Sequence, residues 1–220
     1  MIKKTRVAFL FDKRNNWISN FIKRDKFKRY NKKFSFNFFE NKNKVKKFDI
    51  VFILGFTKIL NKKFLQQNKL CLVIHESKLP LGRGFAPVQW QILKNKNKIT
   101  VCLISINEKI DQGDIILKSI ITFRGDELSD EIRFKQATAS ILLIKKFLKK
   151  FPHYILTKQK GKSTFYRRRN KFDSELNLNQ SIKKQFNLLR ICDNENYPAY
   201  FVFKKKKYVI KIFKAKNEKK

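Results

Sequence analysis

An α/β domain organised around a mainly parallel sheet is the fold class predicted by this 220-residue sequence. Two observations predict it. Short runs of strand length, apolar and rich in β-branched residues and Phe, alternate along the chain with amphipathic stretches. Hydrophobic residues make up 42% of the chain, enough to bury a sizeable core and to exclude global disorder.

Taken in order, Thr5 to Phe11 reads as a strand and Trp17 to Tyr30 as a polar helix. Lys33 to Phe39 alternates with period two, with Phe34, Phe36 and Phe38 on one side, and predicts a strand. Asp49 to Leu54 and Leu70 to His75 are buried strands. Ala86 to Lys94 is helical, Ile99 to Ile106 is a strand, and Ile115 to Phe123 is extended. Glu127 to Phe151 is a long amphipathic helix with Ile132, Ala139, Leu143 and Phe147 near one face, and Pro152 stops it. These elements define a first unit, residues 1–151. The remainder, 152–220, is expected to form a small C-terminal α+β subdomain. It begins with a basic linker, Lys158 to Lys162, and a polar, turn-rich stretch, Thr164 to Arg169. A helix follows from about Gln180 to Arg190, then a hairpin of Tyr200 to Phe203 with Tyr208 to Phe213 around Lys204 to Lys207.

Charge is the loudest compositional feature: formal net charge is +36. Such an excess points to nucleic acid or an anionic surface. Yet 42 Lys stand against 11 Arg, and 23 Phe and 19 Asn far exceed 6 Gly and 4 Pro. The favoured residues share A/T-rich codons, so genome composition accounts for most of the bias, though not for only 17 acidic residues. Lys is also the poorer residue for bidentate phosphate recognition. Apolar runs such as Val51 to Phe56 are far too short to cross a bilayer, and Val7 to Phe11 is too short for a signal-peptide core. Cys71, Cys102 and Cys192 are scattered, without metal-ligand spacing, and read as a reduced, cytoplasmic set. The first strand-to-helix turn, Phe11 to Asn16, has no glycine with which to approach a pyrophosphate, and no phosphate-binding GxxxxGK[ST] loop is present.

Chemistry concentrates in the middle of the chain. His75-Glu76-Ser77-Lys78-Leu79-Pro80 follows a buried strand. Arg83-Gly84-Phe85-Ala86-Pro87-Val88-Gln89-Trp90 leads into a helix, and Ile110-Asp111-Gln112-Gly113-Asp114-Ile115 follows a later strand. Open α/β sheets bind ligands at the carboxyl ends of their strands. Both His75 and Asp111 are expected just past such ends, where an imidazole oriented by a carboxylate shuttles protons near neutral pH. His153, the other histidine, lies beside Pro152 in the linker and carries little weight.

His-x-Ser-x-Leu-Pro, Arg-Gly-x-Ala-Pro-x-x-Trp and Asp-x-Gly-Asp-Ile, in this order, resemble the pattern of 10-formyltetrahydrofolate-dependent formyltransferases, strongest over residues 49–118. The resemblance implies a formyltransferase-like, Rossmann-type fold and a reaction that needs no metal. It makes His75 and Asp111 catalytic. It assigns the folate-contacting loops to Ser77, Lys78, Leu79 and Pro80 on one side and Asn107, Glu108, Lys109 and Ile110 on the other. One position departs: the family's Asn two residues before the His, a donor to the oxyanion, is Val73 here. Losing such a donor costs about 2.7–4 kcal/mol. Thr57, Lys58, Ser77 or a backbone N–H would have to stand in, or activity is weak or lost.

The segments Thr164 to Arg169, Asp173 to Asn177, Leu189-Arg190 and Tyr197 to Tyr200 resemble the C-terminal part of amino-sugar formyltransferases of the pseudaminic-acid pathway type. The resemblance therefore implies, as acceptor, the amine of a nucleotide-linked amino sugar, specifically a UDP-linked 4-amino-4,6-dideoxy sugar. Thr57, Lys58, Arg167, Arg168, Arg169 and Arg190 are the expected substrate-binding residues. The expected partner is that small molecule, with a homodimer as a further expectation; a membrane is not expected, nor a nucleic acid despite the charge. The alternatives are a methionyl-tRNA formyltransferase shortened at its C-terminus and, in another class, a basic nucleic-acid-binding protein on a retired enzyme scaffold.

Overall fold

The computed structural model describes residues 3–215 except 13–16, 26, 59 and 108–109. Ten strands and five α-helices are formed among the described residues. The strands are β1 (Thr5–Phe11), β2 (Phe34–Phe39), β3 (Ile50–Leu54), β4 (Cys71–His75), β5 (Arg83–Gly84), β6 (Lys98–Ser105), β7 (Ile115–Thr122), β8 (Phe165–Tyr166), β9 (Ala199–Phe203) and β10 (Lys206–Ile210). The helices are α1 (Trp17–Asp25), α2 (Lys62–Gln66), α3 (Pro87–Leu93), α4 (Ser129–Lys150) and α5 (Ile182–Ile191).

The main sheet runs β2-β1-β3-β4-β6-β7. Its first four strands are parallel, and β6 and β7 add as an antiparallel edge. Period-two alternation divides the strand residues between two buried faces. Val7, Phe9, Phe11, Phe52, Leu72 and Ile74 meet α1, α3 and α4, whereas Ala8, Leu10, Val51, Ile53 and Cys71 meet Phe48 and Phe64 on the other side. Phe content is used here as stacked rings: Phe9 has Phe27, Phe52 and Phe38 at 5.2 to 5.4 Å. Helix α4 buries Ile132, Ala139, Leu143 and Phe147, and Glu131 closes its first turn by accepting from the Leu128 N–H at 2.9 Å. No described helix is long and apolar enough to cross a membrane.

Three expectations are corrected. The first helix stops at Asp25, because Phe27 adopts φ 45° and turns its ring into the core, and a 3-10 turn at Lys28–Tyr30 completes the connection. The C-terminal hairpin turns on two residues only, Lys204 and Lys205, both at positive φ, so Lys206 and Lys207 belong to the returning strand, which ends at Ile210. The stretch Thr164 to Arg169 is not merely a turn. Its Phe165–Tyr166 pairs in parallel with Arg83–Gly84, fastening the C-terminal part to the central motif. Helix α5 then packs on α3 and α4.

Candidate active site

Strand β4 sets the centre of the site. Alternation puts Cys71, Val73 and His75 on one face of the sheet and Leu72 and Ile74 on the other. The chain leaves the sheet after His75, and Glu76 points back towards α3 and α4. There Gln91 Nε2 reaches its carbonyl at 2.8 Å, and Gln136 Nε2 reaches its carboxylate at 3.2 Å.

His75 is buried, and its two nitrogens meet two different acceptors. Nε2 lies 2.7 Å from the Gly82 carbonyl, and Nδ1 lies 3.4 Å from Asp111 Oδ2. Asp111 arrives by a route the sequence reading did not anticipate. Strand β6 is antiparallel to β4, with Leu72 opposite Ser105 and His75 opposite Cys102, so the end of β6 lies beside the start of β4. The loop after β6 must therefore double back over the sheet to bring Asp111 to His75. Gly113 permits the crossing: a Cβ there would stand 1.6 Å from the Ser105 carbonyl oxygen. Asp111 itself sits at φ 52°, which Asp tolerates better than most residues.

The loop is clamped from the C-terminal part. Gln159 Nε2 donates to the carbonyls of Asp111 and Gly113, each at 2.8 Å, and its Oε1 accepts from Arg83 Nη2 at 2.7 Å. The Gly84 N–H donates to Asp111 Oδ2 at 2.8 Å. Thus the supposed linker supplies the residue that fixes the loop, and only its Gln in a run of lysines could have signalled it.

A cavity of about 600 Å³ opens over this pair. Val73, Ile104, Ile106 and Ile110 supply apolar wall; His75, Glu76, Asn107, Asp111, Arg133 and Gln136 supply polar groups. Burial pushes the Glu76 carboxyl up, against the opposing effects of His75 and the Gln136 amide. Arg133 is engaged by Asp193 at 2.8 Å.

The remaining expected site residues divide clearly. Thr57, Lys58, Arg168 and Arg169 line the cavity. Thr57 donates N–H and hydroxyl to Asp12, and its carbonyl accepts from Arg168 Nη2 at 3.0 Å, while the Arg168 guanidinium lies 4.4 Å from the Phe85 ring centre. Arg167 is turned away, ion-paired with Asp173 and stacked over Trp90. Arg190 is completely buried, held by Asn187, Asn97 and Glu127, and belongs to the core, because α5 carries it inward between α3 and α4. Ser77, Lys78, Leu79 and Pro80 do not line the cavity. Ser77, Leu79 and Pro80 are buried behind it, with Leu79 against Cys102, Ile104 and Ile115. Asn107 and Ile110 do line it; Glu108 and Lys109 lie outside the described residues.

Fold and site together define an α/β protein with a cavity at the carboxyl end of a parallel strand and, in its wall, a buried His beside a part-buried carboxylate. The family model described as "Formyl transferase" matches residues 7–148, and the chain belongs to that family. It is 32% identical over 150 residues to the methionyl-tRNA formyltransferase of Prochlorococcus marinus, covering 65% of this chain and 44% of that protein. To the enzyme of the same name from Rickettsia prowazekii it is 30% identical over 181 residues, covering 80% and 58%. The chain thus spans about half the length of the curated relatives it matches. Among solved structures, methionyl-tRNA formyltransferase from Clostridium thermocellum superimposes with TM-score 0.80 at 25% identity, over 98% of this chain and 95% of that one. A sugar N-formyltransferase from a Shewanella species gives 0.69 at 17%, over 94% and 97%. HypX from Aquifex aeolicus in complex with tetrahydrofolic acid gives 0.75 at 15%, over 96% and 38%. The last two share the fold.

Proposed function

We propose that this protein transfers a formyl group from a 10-formyl reduced folate to the primary amine of methionyl-tRNA. The observation that carries the chemistry is the His75–Asp111 pair in the wall of one large cavity. A cavity of this size lies within the roughly 300–1,000 Å³ of small-molecule sites, and its isoleucine wall suits a flat ring system. Bound there, such a folate supplies a formyl carbon already activated as an N-aryl amide. With Nε2–H donating to the Gly82 carbonyl, His75 presents Nδ1, beside Asp111, as the atom that passes a proton between the acceptor and leaving nitrogens; Asp111, fixed by Gly84 and Gln159, keeps the ring in register. Burial of His75 keeps bulk water from the pair.

The acceptor reading is supported by relatives at about 30% identity that carry that name, and by a +36 charge able to meet many phosphates. It reverses the preference drawn from the C-terminal segments. The nucleotide-linked amino sugar remains the second reading, on a specific observation: Arg168 and Arg169 stand on the cavity, where a diphosphate would lie. Three buried free cysteines suit the reducing cytoplasm that both readings require. A single assay decides. With 10-formyltetrahydrofolate as donor, kcat/KM for methionyl-tRNA is expected to exceed that for a UDP-linked 4-amino sugar by orders of magnitude at equal salt. The reverse order would give the acceptor to the sugar.

A further inference from the structure

The α4 side of the cavity contains one buried acceptor atom with no donor to meet it, next to a carboxylate. Gln136 is 5% exposed, and its Oε1 is buried without a hydrogen-bond partner among the described residues. Its Nε2 is spent on the Glu76 carboxylate at 3.2 Å. The neighbouring amide, Gln91, has its Nε2 spent on the carbonyls of Glu76 and Pro87. Arg133, which also lines this cavity, turns its Nη2 to Asp193 at 2.8 Å. A carboxylate and an amide carbonyl therefore share one corner of the cavity. An unpaired buried acceptor is costly unless a ligand supplies the donor. A primary ammonium group, with three N–H donors and one positive charge, matches this corner.

We infer that Glu76 and Gln136 form the seat of the acceptor amine, and that Glu76 takes the proton an ammonium group must lose before it can attack a formyl carbon. The inference rests on the formyl-transfer reading above and names a role that His75 and Asp111 leave unfilled. Proton balance requires it. An ammonium carries three protons. One stays on the formamide nitrogen, one goes to the nitrogen that loses the formyl group, and the third leaves for solvent. His75 handles the second; Glu76 accepts the third, becoming a neutral carboxylic acid while the amine regains its electron pair. A carboxyl whose burial favours the neutral form is suited to this task. The other titratable groups facing the cavity include His75 at the end of β4, Asp111 on the β6–β7 loop, Lys58 after β3, Arg168 and Arg169 after β8, and the Arg133–Asp193 pair.

Glu76→Gln tests the proton step while keeping the volume. Its turnover with methionyl-tRNA is expected to fall by about 10–10²-fold at neutral pH and to recover as pH rises and the amine becomes neutral unaided. His75→Asn should show no such recovery. Binding without any donor gives a second readout. The wild type should hold methionyl-tRNA more tightly than uncharged tRNA, and Glu76→Gln and Gln136→Met should each erase that difference while binding uncharged tRNA as before. If the sugar proves to be the acceptor, the same comparison is made between the UDP-linked 4-amino sugar and its 4-hydroxy counterpart. Unchanged turnover, pH profile and amine preference in Glu76→Gln would overturn the inference with formyl transfer intact. A wild type that transfers formyl to neither acceptor would remove the reading beneath it, and the inference with it.

Discussion

The backbone N–H of Gly84 and the imidazole of His75 share one oxygen: Asp111 Oδ2 lies 2.8 Å from the first and 3.4 Å from the second. The carboxylate is thereby aimed by a group that carries no side chain. His75→Asn is expected to cut formyl transfer by about 10²-fold or more, and Asp111→Asn to do similar damage, because each removes one half of the pair proposed to handle the proton. Circular dichroism should show both folded. Near-wild-type turnover in either would dismiss that residue from the chemistry.

Gly84 sits at φ 99°, and a Cβ on it would come within 2.4 Å of the Tyr166 carbonyl oxygen. That oxygen accepts from the Phe85 N–H in the β5–β8 pairing, so it has no freedom to retreat. Gly84→Ala should therefore lower stability by about 1–3 kcal/mol and lower activity beyond the loss of folded protein. Thermal melting alongside turnover per folded molecule separates the two. Gly161, also at positive φ but with open space around its Cβ site, is the control expected to keep full activity as Ala.

Val73 shares the face of β4 with His75 and lines the cavity, packed against Leu79, Cys102, Ile104 and Ile115. A valine there offers no donor to a developing oxyanion. Val73→Asn is expected to raise kcat, by up to about 10²-fold, while lowering the melting temperature through a polar group placed beside apolar neighbours. A rate that falls in step with stability would show that another donor already fills the role.

Glu127 is 1% exposed and bonded to Lys135 at 2.5 Å and to the N–H groups of Arg124 and Gly125. Burial works to raise its pKa, and those partners outweigh it, holding the carboxyl at about 2 against 4.5 for an ordinary glutamate. The unfolded chain therefore takes up the proton first. The stability this residue contributes is complete above about pH 4.5 and drains away as pH falls towards 2. Glu127→Gln should flatten that part of the acid-unfolding curve. It also removes the carboxylate beside the buried Arg190 charge, so it should cost about 3 kcal/mol at pH 7, well above the loss in Arg190→Met, where Lys135 still satisfies the carboxylate. Urea unfolding at two pH values measures both effects.

Strand positions were legible because each apolar run is short, and the long helix because Ile132 to Phe147 repeat at helical spacing. His75 and Asp111 stood out through ordered motifs. Their meeting did not follow from strand ends, since nothing in residues 98–105 announces an antiparallel strand. Glu76 occupies the open position of the His-x-Ser motif, and only Gln136, 60 residues away in sequence, gives it meaning. Arg190 misled for a simple reason: an arginine on an amphipathic helix reads as solvent-facing until its buried partner Glu127 is seen. Gln159 lay in a lysine-rich stretch whose composition masks a residue with three hydrogen-bonded partners.

The pairing of Arg83–Gly84 with Phe165–Tyr166 also imposes an order in time. A ribosome adding roughly 5–20 residues per second needs about 4–16 s to pass from the first pair to the second. Asp111 joins His75 only part-way through that interval, and Gln159 to clamp the loop and Tyr166 to seat Gly84 arrive only towards its end. Until then the growing polypeptide holds His75 and Asp111 without the contacts that fix them to each other.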